Sequence, residues 1–397
     1  MNKKCIFIDH KYHSTTSSTK FLVELLSTNF EVDILYLEDF SASSFENMKT
    51  SEADLYVVFQ YDFIASFLLS NNRKVLVVPM YDGTGEMAPI HWLTMQGSLF
   101  LNFSEVVHKK ITALGLDSIF GRYYPDSTKY PQFSSKNENG DSIFFWERQP
   151  VNGLSVDWLS YQLNCQAYSP KKVHIHQSPD PGQYLKRHSV FMSDIFSGRE
   201  VSTSSWFSNK NDYLEKLANY GIYIAPRKAE GIGFSFIDAM ACGLIVFAHD
   251  MPTMNEYIQH EKNGILFDVS LPDFRKLDLN QLRNQSRNSF VEGRKKWLLF
   301  ADQMLSSIQE YVSSENSTNL RPMSSTLASQ VANAFFRRQD VYAALIYDQV
   351  INLKGNEIWR FRSTPSKWSA RLPIKLKKNP VLGQILIALH SKRKKIV

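Results

Sequence analysis

Cysteine is scarce in this chain of 397 residues. Its three cysteines are Cys5, Cys165 and Cys242, which stand far apart in the sequence. Their odd number excludes a complete disulfide framework, and their spacing matches no metal-binding motif. A protein with so few and so dispersed thiols is expected in a reducing compartment.

Long apolar runs are also missing from the sequence. A run of about 18 apolar residues, the length that crosses a bilayer, is absent. The first ten residues, MNKKCIFIDH, turn polar after four apolar residues, which is too short for the core of a signal peptide. We therefore predict a cytoplasmic protein without a transmembrane segment.

The excess of positive charge is small and unevenly distributed. The chain has 45 Lys and Arg against 39 Asp and Glu, a formal net charge of +6. Residues 354–397 contain twelve Lys or Arg and one acid, a net of +11, which leaves −5 for the rest of the chain. A basic tail on an acidic body does not require nucleic acid as a partner.

Apolar runs alternate with helical patterns along the first two thirds of the chain, as in a parallel sheet with crossover helices. The predicted strands of a first sheet are Cys5–Ile8, Val32–Leu37, Asp54–Phe59, Lys74–Pro79 and Leu99–Asn102. The predicted strands of a second sheet are Ser142–Trp146, Lys172–His176, Gly221–Ala225, Leu244–Ala248 and Gly264–Phe267.

A polar segment with Pro and Gly, residues 126–141, separates the two sheets and is typical of a linker. We predict an α/β protein with two doubly wound, Rossmann-like domains, over residues 1–130 and 140–290. Residues 291–397 would form crossing helices and the basic tail. In such pairs of domains the ligand binds at the carboxyl ends of the strands, in the cleft between the domains.

The loop after the predicted strand Gly221–Ala225 is the most informative part of the sequence. It contains two cations, Arg227 and Lys228, then Glu230 between small residues, and a helix follows at once. Backbone N–H groups at such a helix start attract anions, whereas a carboxylate suits the hydroxyl groups of a sugar. Asp238 lies about two helical turns further on, so both carboxylates can face one ligand. The alternative for this stretch is an ordinary βαβ turn with a solvated Glu.

The informative pattern extends far beyond that turn. Over almost 50 residues the sequence resembles the C-terminal motif of retaining GT-B glycosyltransferases, close to glycosyltransferase family 4 of the bacterial surface-polysaccharide type. The matching residues are Pro226, Glu230, Gly231, Gly233, Phe234, Asp238–Gly243, Val246, Ala248, Glu256, Asn263 and Gly264. The resemblance implies a GT-B architecture with a C-terminal helical extension.

The resemblance also implies roles for particular residues. Glu230 matches the acid that holds donor-sugar hydroxyls at the reacting centre, and Asp238 matches the acid that holds the nucleotide ribose, although the family has Glu there. The implied donor-binding residues are Arg227, Lys228, Gly231, Ile232, Gly233, Phe234, Ser235 and Asp238.

Arg148 follows the first strand of the second domain, where the family has an Arg that neutralises the donor diphosphate. The alternative is a surface Arg at a strand end. The family's Lys a few residues later is replaced by Asn152 and Gly153, so Arg227 or Lys228 is a candidate for the missing charge. Glu230 and Arg148 are the predicted catalytic residues.

Two residues of the first domain are candidates for contacts with the acceptor or the donor sugar. His13 follows the first strand, and Asp82 follows the fourth; an ordinary loop histidine and a turn former are the alternatives. His174 and His176 alternate along a strand, which favours packing over metal ligation. Without a D-x-D motif at a strand end, we predict no metal site and no cofactor besides the donor substrate.

The basic tail frames a mostly apolar stretch, Pro380–Leu389, with Lys and Arg and has two tryptophans nearby. This pattern is typical of an interfacial anchor on an anionic membrane, which would place the protein on the inner face of the cytoplasmic membrane. The alternative is a C-terminal helix packed on the protein.

The sequence therefore predicts a retaining, metal-independent glycosyltransferase. Its partners would be a nucleotide-diphosphate sugar and a glycan or lipid-linked acceptor, in cell-surface polysaccharide (O-antigen or capsule-type, including lipopolysaccharide) synthesis. The alternatives are an epimerase or phosphorylase on the same fold, and a non-catalytic subunit that binds sugar nucleotides.

Overall fold

The computed structural model describes residues 3–16, 18–126, 128, 130–131, 142–150, 154–166, 170–180, 185, 195–196, 198–315 and 320–339. The chain divides into two compact units. Of the described residues, those up to 102, those from 106 to 120 and those from 301 to 339 form unit 1, and those within 103–105 and 121–300 form unit 2. Most of the predicted linker and the whole basic tail lie outside the described residues.

Unit 1 is built on a sheet of six parallel strands in the order β2-β1-β3-β4-β5-β6. These strands are β1 (Lys3–His10), β2 (Phe30–Leu37), β3 (Leu55–Phe59), β4 (Val75–Val78), β5 (Leu99–Asn102) and β6 (Ser118–Phe120). The central strands β3, β4 and β5 are buried along their whole length. Continuous burial of an apolar strand is expected where helices cover both faces of a parallel sheet.

Helices connect these strands, and one helix that comes much later in the sequence also belongs to unit 1. They are α1 (His13–Thr16), α2 (Lys20–Leu26), α3 (Ala42–Thr50), α4 (Ala65–Ser70), α5 (Tyr81–Thr84), α6 (Pro89–Leu93) and α7 (Glu105–Thr112, which begins in unit 2). The last described helix, Ser325–Phe336, packs against α3, and its Ser329 hydroxyl donates a hydrogen bond to the Phe40 carbonyl at 2.6 Å.

Unit 2 repeats the architecture with a second sheet of six parallel strands, in the order β12-β11-β10-β7-β8-β9. Its strands are β7 (Ser142–Trp146), β8 (Lys172–His176), β9 (Glu200–Ser204), β10 (Ile222–Ile224), β11 (Ile245–His249) and β12 (Ile265–Phe267). The helices that follow α7 are α8 (Val156–Asn164), α9 (Lys210–Leu217), α10 (Phe234–Ala241), α11 (Met254–Tyr257), α12 (Leu279–Ser313) and α13 (Ser325–Phe336), the last of which belongs to unit 1.

The core of unit 2 contains the apolar side chains on one face of the sheet, among them Ile143, Phe145, Ile224 and Phe247, together with α8 residues such as Leu159. This packing fixes the strands and brings the loops after β7, β8 and β10 to the same edge of the sheet, because neighbouring parallel strands end on one side. The predicted fold class, two doubly wound α/β domains with a C-terminal helical extension, is confirmed. Among the described helices, none combines the length and the apolar character needed to cross a membrane.

Candidate functional site

The loop that carries Glu230 runs from the end of β10 to the start of α10. Gly233 caps α10 with φ of +82°, and its carbonyl accepts the Ile237 N–H at 3.2 Å. A Cβ atom at Gly233 would lie 1.9 Å from Cε1 of Phe236. Both the left-handed backbone and the lack of space therefore require glycine here.

Glu230 is a buried carboxylate, with 4% of its surface exposed. Its backbone N–H donates to the Pro252 carbonyl at 3.1 Å, which ties the loop to the end of β11. Its Oε2 accepts a hydrogen bond from Nη1 of Arg227 at 3.1 Å. A buried carboxylate needs such a partner, since its desolvation alone would cost several kcal/mol.

Arg148, at the end of β7, is held by Asp180 in the loop after β8. Arg148 Nε donates to Asp180 Oδ1 at 2.5 Å, and the guanidinium also lies 5.1 Å from the Trp146 ring centroid. Arg227 Nε lies 3.8 Å from Asp180 Oδ2, so Asp180 lies between the two arginines. Four side chains from three loops thus alternate in charge: Arg148, Asp180, Arg227 and Glu230. We call this set the arginine–carboxylate cluster.

The electrostatics of the cluster favour charged arginines. Burial lowers the pKa of Arg148, but the carboxylates of Glu230 and Asp180 raise it by more, so its pKa lies above the ordinary value despite the neighbouring Arg227. Both guanidinium groups of the cluster are therefore permanent cations at neutral pH. Two planar cations at the carboxyl ends of adjacent strands can bind the oxygens of a diphosphate in bidentate fashion.

Asp238, on α10, belongs to a second polar group in unit 2. Its side chain is buried, and Oδ1 accepts hydrogen bonds from the Tyr130 hydroxyl at 2.5 Å and from Lys210 Nζ at 3.1 Å. Burial and the nearby Asp238 carboxylate raise the pKa of Tyr130, so its hydroxyl keeps its proton and donates. Asp238 thus has two partners within its own unit, and one of its oxygens is already engaged.

The remaining predicted donor-binding residues are distributed along the same loop and the first turn of α10. Lys228 is exposed, whereas Gly231, Ile232 and Gly233 are buried. Phe234 packs edge-on against the Tyr123 ring at 5.5 Å between centroids, and Ser235 is buried. Asn152 and Gly153, which replace the family's Lys motif, lie outside the described residues.

In unit 1, His13 is held by a buried acid. Its Nδ1 lies 2.7 Å from Oδ1 of Asp9, which is fully buried, and the Thr19 hydroxyl donates to the other Asp9 oxygen at 3.0 Å. A carboxylate accepts hydrogen bonds, so Nδ1 of His13 is the donor to Asp9, and the other ring nitrogen, Nε2, is suited to accept a hydrogen bond. Asp82, on α5, is half-buried.

His174 and His176 pack inside unit 2. The two ring nitrogens of His174 lie 2.8 Å from the hydroxyls of Ser202 and Ser204, and His176 Nδ1 lies 2.9 Å from that of Ser204. In the part of the chain that the structure describes, no group of three His, Cys, Asp or Glu side chains is arranged to hold a metal ion.

Four polar partners in these sites were not predicted from the sequence: Asp9, Tyr130, Asp180 and Lys210. Asp9 directly precedes His10 at the end of β1, so the rule that ligands bind at strand ends could have drawn attention to it. Asp180 follows β8 by four residues and was open to the same argument. Tyr130 and Lys210 carry no local signal, since only the tertiary fold brings them to Asp238.

Comparison with known proteins agrees with this architecture. The family model for glycosyl transferases group 1 matches residues 199–297. No curated protein sequence matches the chain significantly.

Solved structures share the fold at low sequence identity. The sucrose-phosphate synthase of Thermosynechococcus elongatus is 11% identical, with 78% of this chain and 99% of that chain covered and a TM-score of 0.57. HepE of Anabaena, solved in complex with UDP and glucose, is 13% identical, with 78% and 100% covered and a TM-score of 0.52. A glycosyltransferase of Rickettsia africae is also 13% identical, with 79% and 100% covered and a TM-score of 0.50.

These similarities establish the fold of two Rossmann-like domains that is known as GT-B. Together with the match over residues 199–297, they show that the chain is a glycosyltransferase enzyme.

Proposed function

We propose that the protein transfers a sugar from a nucleotide-diphosphate donor to a glycan or lipid-linked acceptor, with retention of configuration and without a metal ion. The reaction would belong to cell-surface polysaccharide synthesis of the O-antigen or capsule type. The observation that supports this most strongly is the arginine–carboxylate cluster. In it the motif acid Glu230 pairs with Arg227 and raises the pKa of Arg148 through its charge, at the edge of the sheet where a doubly wound fold binds its ligand.

In this proposal the two arginines and Glu230 have different roles in the reaction. Arg148 and Arg227 stabilise the negative charge that develops on the leaving diphosphate, which is the role for which a divalent cation would otherwise be needed. Glu230 accepts hydroxyl groups of the donor sugar and orients its anomeric carbon. The acceptor hydroxyl attacks on the face from which the diphosphate leaves, and a diphosphate oxygen takes its proton.

Unit 1 would contribute to acceptor binding through His13 and Asp82. His13 is suited to accept a hydrogen bond from a sugar hydroxyl, because Asp9 fixes the proton on its other ring nitrogen. Asp238, held by Tyr130 and Lys210, would meet the nucleotide ribose through its second oxygen or through a water molecule. The UDP and glucose bound to HepE make UDP-glucose the first donor to test.

We further propose that the protein works in the cytoplasm, peripherally bound to the inner face of the membrane through its basic tail. Each cation near an anionic surface is worth roughly 1 kcal/mol, and residues 354–397 contain twelve.

The test of the catalytic assignment begins with a thermal-shift screen against UDP-, GDP-, dTDP- and CMP-sugars, in which a bound donor raises the melting temperature. With the donor so identified, Glu230→Gln and Arg148→Ala are each expected to lower kcat for transfer at least about 100-fold. Glu215→Gln, an exposed acid on α9 of the same unit, is the matched control and should keep full activity.

Full activity of either site variant would contradict the assignment. NMR of the product's anomeric carbon tests retention, and an undiminished rate in EDTA tests metal independence. Inversion, or loss of activity that a divalent cation restores, would reject the corresponding part of the proposal.

A further inference from the structure

Asp180 is an unusual residue to find between two arginines that are expected to bind an anion. It accepts from Arg148 Nε at 2.5 Å and from Gln149 Nε2 at 2.8 Å, and its Oδ2 lies 3.8 Å from Arg227 Nε. A carboxylate in this position repels a diphosphate, and its side chain is only 18% exposed, so solvent screens that repulsion incompletely.

Neutral hydrogen bonds also hold Asp180 in position. Its backbone N–H donates to the Arg148 carbonyl at 3.0 Å, and Trp146 Nε1 donates to the Ser178 carbonyl at 2.8 Å. The Glu147 N–H also donates to the His176 carbonyl at 2.9 Å. These three neutral hydrogen bonds hold the loop after β8 against the loop after β7, so the carboxylate would stay beside the arginines without an ion pair.

The charges of the cluster balance before any ligand is bound. Two guanidinium groups face the carboxylates of Asp180 and Glu230. Without Asp180, two arginines would face a single carboxylate, and a diphosphate leaving group would be bound more tightly after the sugar has gone. Tight binding of a product slows its release and does not help the chemical step.

The bond to Asp180 also sets how Arg148 can bind a phosphate. It engages Nε of the guanidinium, so a diphosphate would be bound through the terminal Nη1 and Nη2 groups. The carboxylate therefore orients the cation that it partly neutralises.

We propose that Asp180 is the built-in counter-ion of the diphosphate site: it orients Arg148 and keeps the affinity for the nucleoside diphosphate product low enough for release. This inference rests on the proposed function. Asp180 is a positioning residue, which acts through the two arginines.

The test is the isosteric variant Asp180→Asn, which keeps the shape of the side chain and removes its charge. Wild-type protein is first titrated by calorimetry with UDP, GDP, dTDP, ADP and inorganic pyrophosphate. With the diphosphate that it binds best, Asp180→Asn is expected to bind about tenfold more tightly, and the product-inhibition constant should fall by the same factor. The kcat should fall severalfold, with a lower donor KM. The matching nucleoside monophosphate should be affected less than about twofold.

Two further variants separate charge from structure. Asp180→Glu restores the negative charge and should return diphosphate affinity towards the wild-type value. Asp273→Asn removes a carboxylate that pairs with Arg275 at 2.7 Å on the same unit, away from the cluster, and should leave affinity unchanged.

Weaker or unchanged diphosphate binding in Asp180→Asn would overturn the inference and leave Asp180 a structural residue. Equal tightening in Asp273→Asn would also overturn it, because the effect would then be one of net charge. If wild-type protein binds none of the five probes, the diphosphate site is wrong and the proposed function fails with it. If it binds one and transfers sugar, only the counter-ion inference is at stake.

Discussion

At the scale of single residues, the motif pointed to two acids, Glu230 and Asp238, but not to their partners. Glu230 and Asp238 could be predicted because they lie within one continuous stretch whose spacing is read directly from the sequence. Asp180 lies 32 positions from Arg148, and Tyr130 lies 108 positions from Asp238, so no local pattern connects them. Pairing across such distances is a product of packing, which sequence spacing does not encode.

Gly233 offers a residue-scale test of the site's backbone. Gly233→Ala places a Cβ against the Phe236 ring and forces a left-handed φ on alanine, and together these should lower the free energy of unfolding of unit 2 by about 3 kcal/mol. Gly198 has a similar φ of +75°, but a Cβ atom added there would have no other heavy atom within 4 Å.

Gly198→Ala is therefore the matched control, and should cost only about 1 kcal/mol, the part due to φ. Denaturant titration followed by tryptophan fluorescence measures both values. Equal losses would show that the contact with Phe236 relaxes freely.

At the scale of secondary-structure elements, the apolar central strands were predicted and two edge strands were not. Each predicted strand corresponds to an observed one, from Cys5–Ile8 within β1 to Gly264–Phe267 around β12. The strands β6 and β9 were missed. β6 has three residues, and β9 reads EVSTS and has no fully buried residue. Short, polar strands are typical of sheet edges, where one side lacks a partner, and hydrophobic pattern gives little signal there.

The histidines of β8 should make unit 2 sensitive to acid. Burial lowers the pKa of His174 to about 3 and that of His176 to about 4, with positive neighbours adding to the shift for His174. The unfolded chain takes up these protons near pH 6.5, and the folded chain only near pH 3–4, so stability is complete above pH 6.5 and falls as pH decreases. Between pH 7 and pH 5 each histidine should cost about 2 kcal/mol.

The measurement is the free energy of unfolding at pH 7 and at pH 5 for wild type and His174→Asn. The variant should lose about 2 kcal/mol less on acidification, whatever its stability at pH 7. His260→Asn, which replaces a histidine with half of its side chain exposed, is the control and should lose as much as wild type. Parallel curves for wild type and His174→Asn would contradict the assignment.

At the scale of the whole molecule, the sequence predicted two doubly wound domains because the βα rhythm occurs twice with a polar break between. The sequence does not show to which unit each helix belongs. Unit 1 includes α13, from the far end of the chain, whose Phe335 ring packs against His91 at 5.1 Å. An amphipathic helix pattern shows that a face is buried but does not say against which domain.

The proposed membrane attachment has to be tested on the whole chain, because it would act through the basic tail. Flotation with vesicles that contain phosphatidylglycerol should recover the full chain in the lipid fraction, whereas a chain that ends before Asn379 should stay in the soluble fraction. Raising the salt concentration to about 1 M should weaken recovery of the full chain. Identical flotation of both chains would show that residues 379–397, which contain the apolar stretch and the last four basic residues, are not the anchor.

Helix α12 determines where the junctions must lie when one unit is exchanged between such enzymes. It belongs to unit 2 up to Phe300 and to unit 1 from Ala301 onwards. A chimera with a single junction near residue 120 would therefore replace the C-terminal helix of unit 1 with the foreign helix that comes with the grafted half. A graft intended to change donor specificity needs two junctions, near 120 and near 300, the second inside a continuous helix whose register must be kept. In this protein, exchange of one half of the chain at a single junction does not exchange a complete unit. We therefore expect specificity to change through the loops at the strand ends instead.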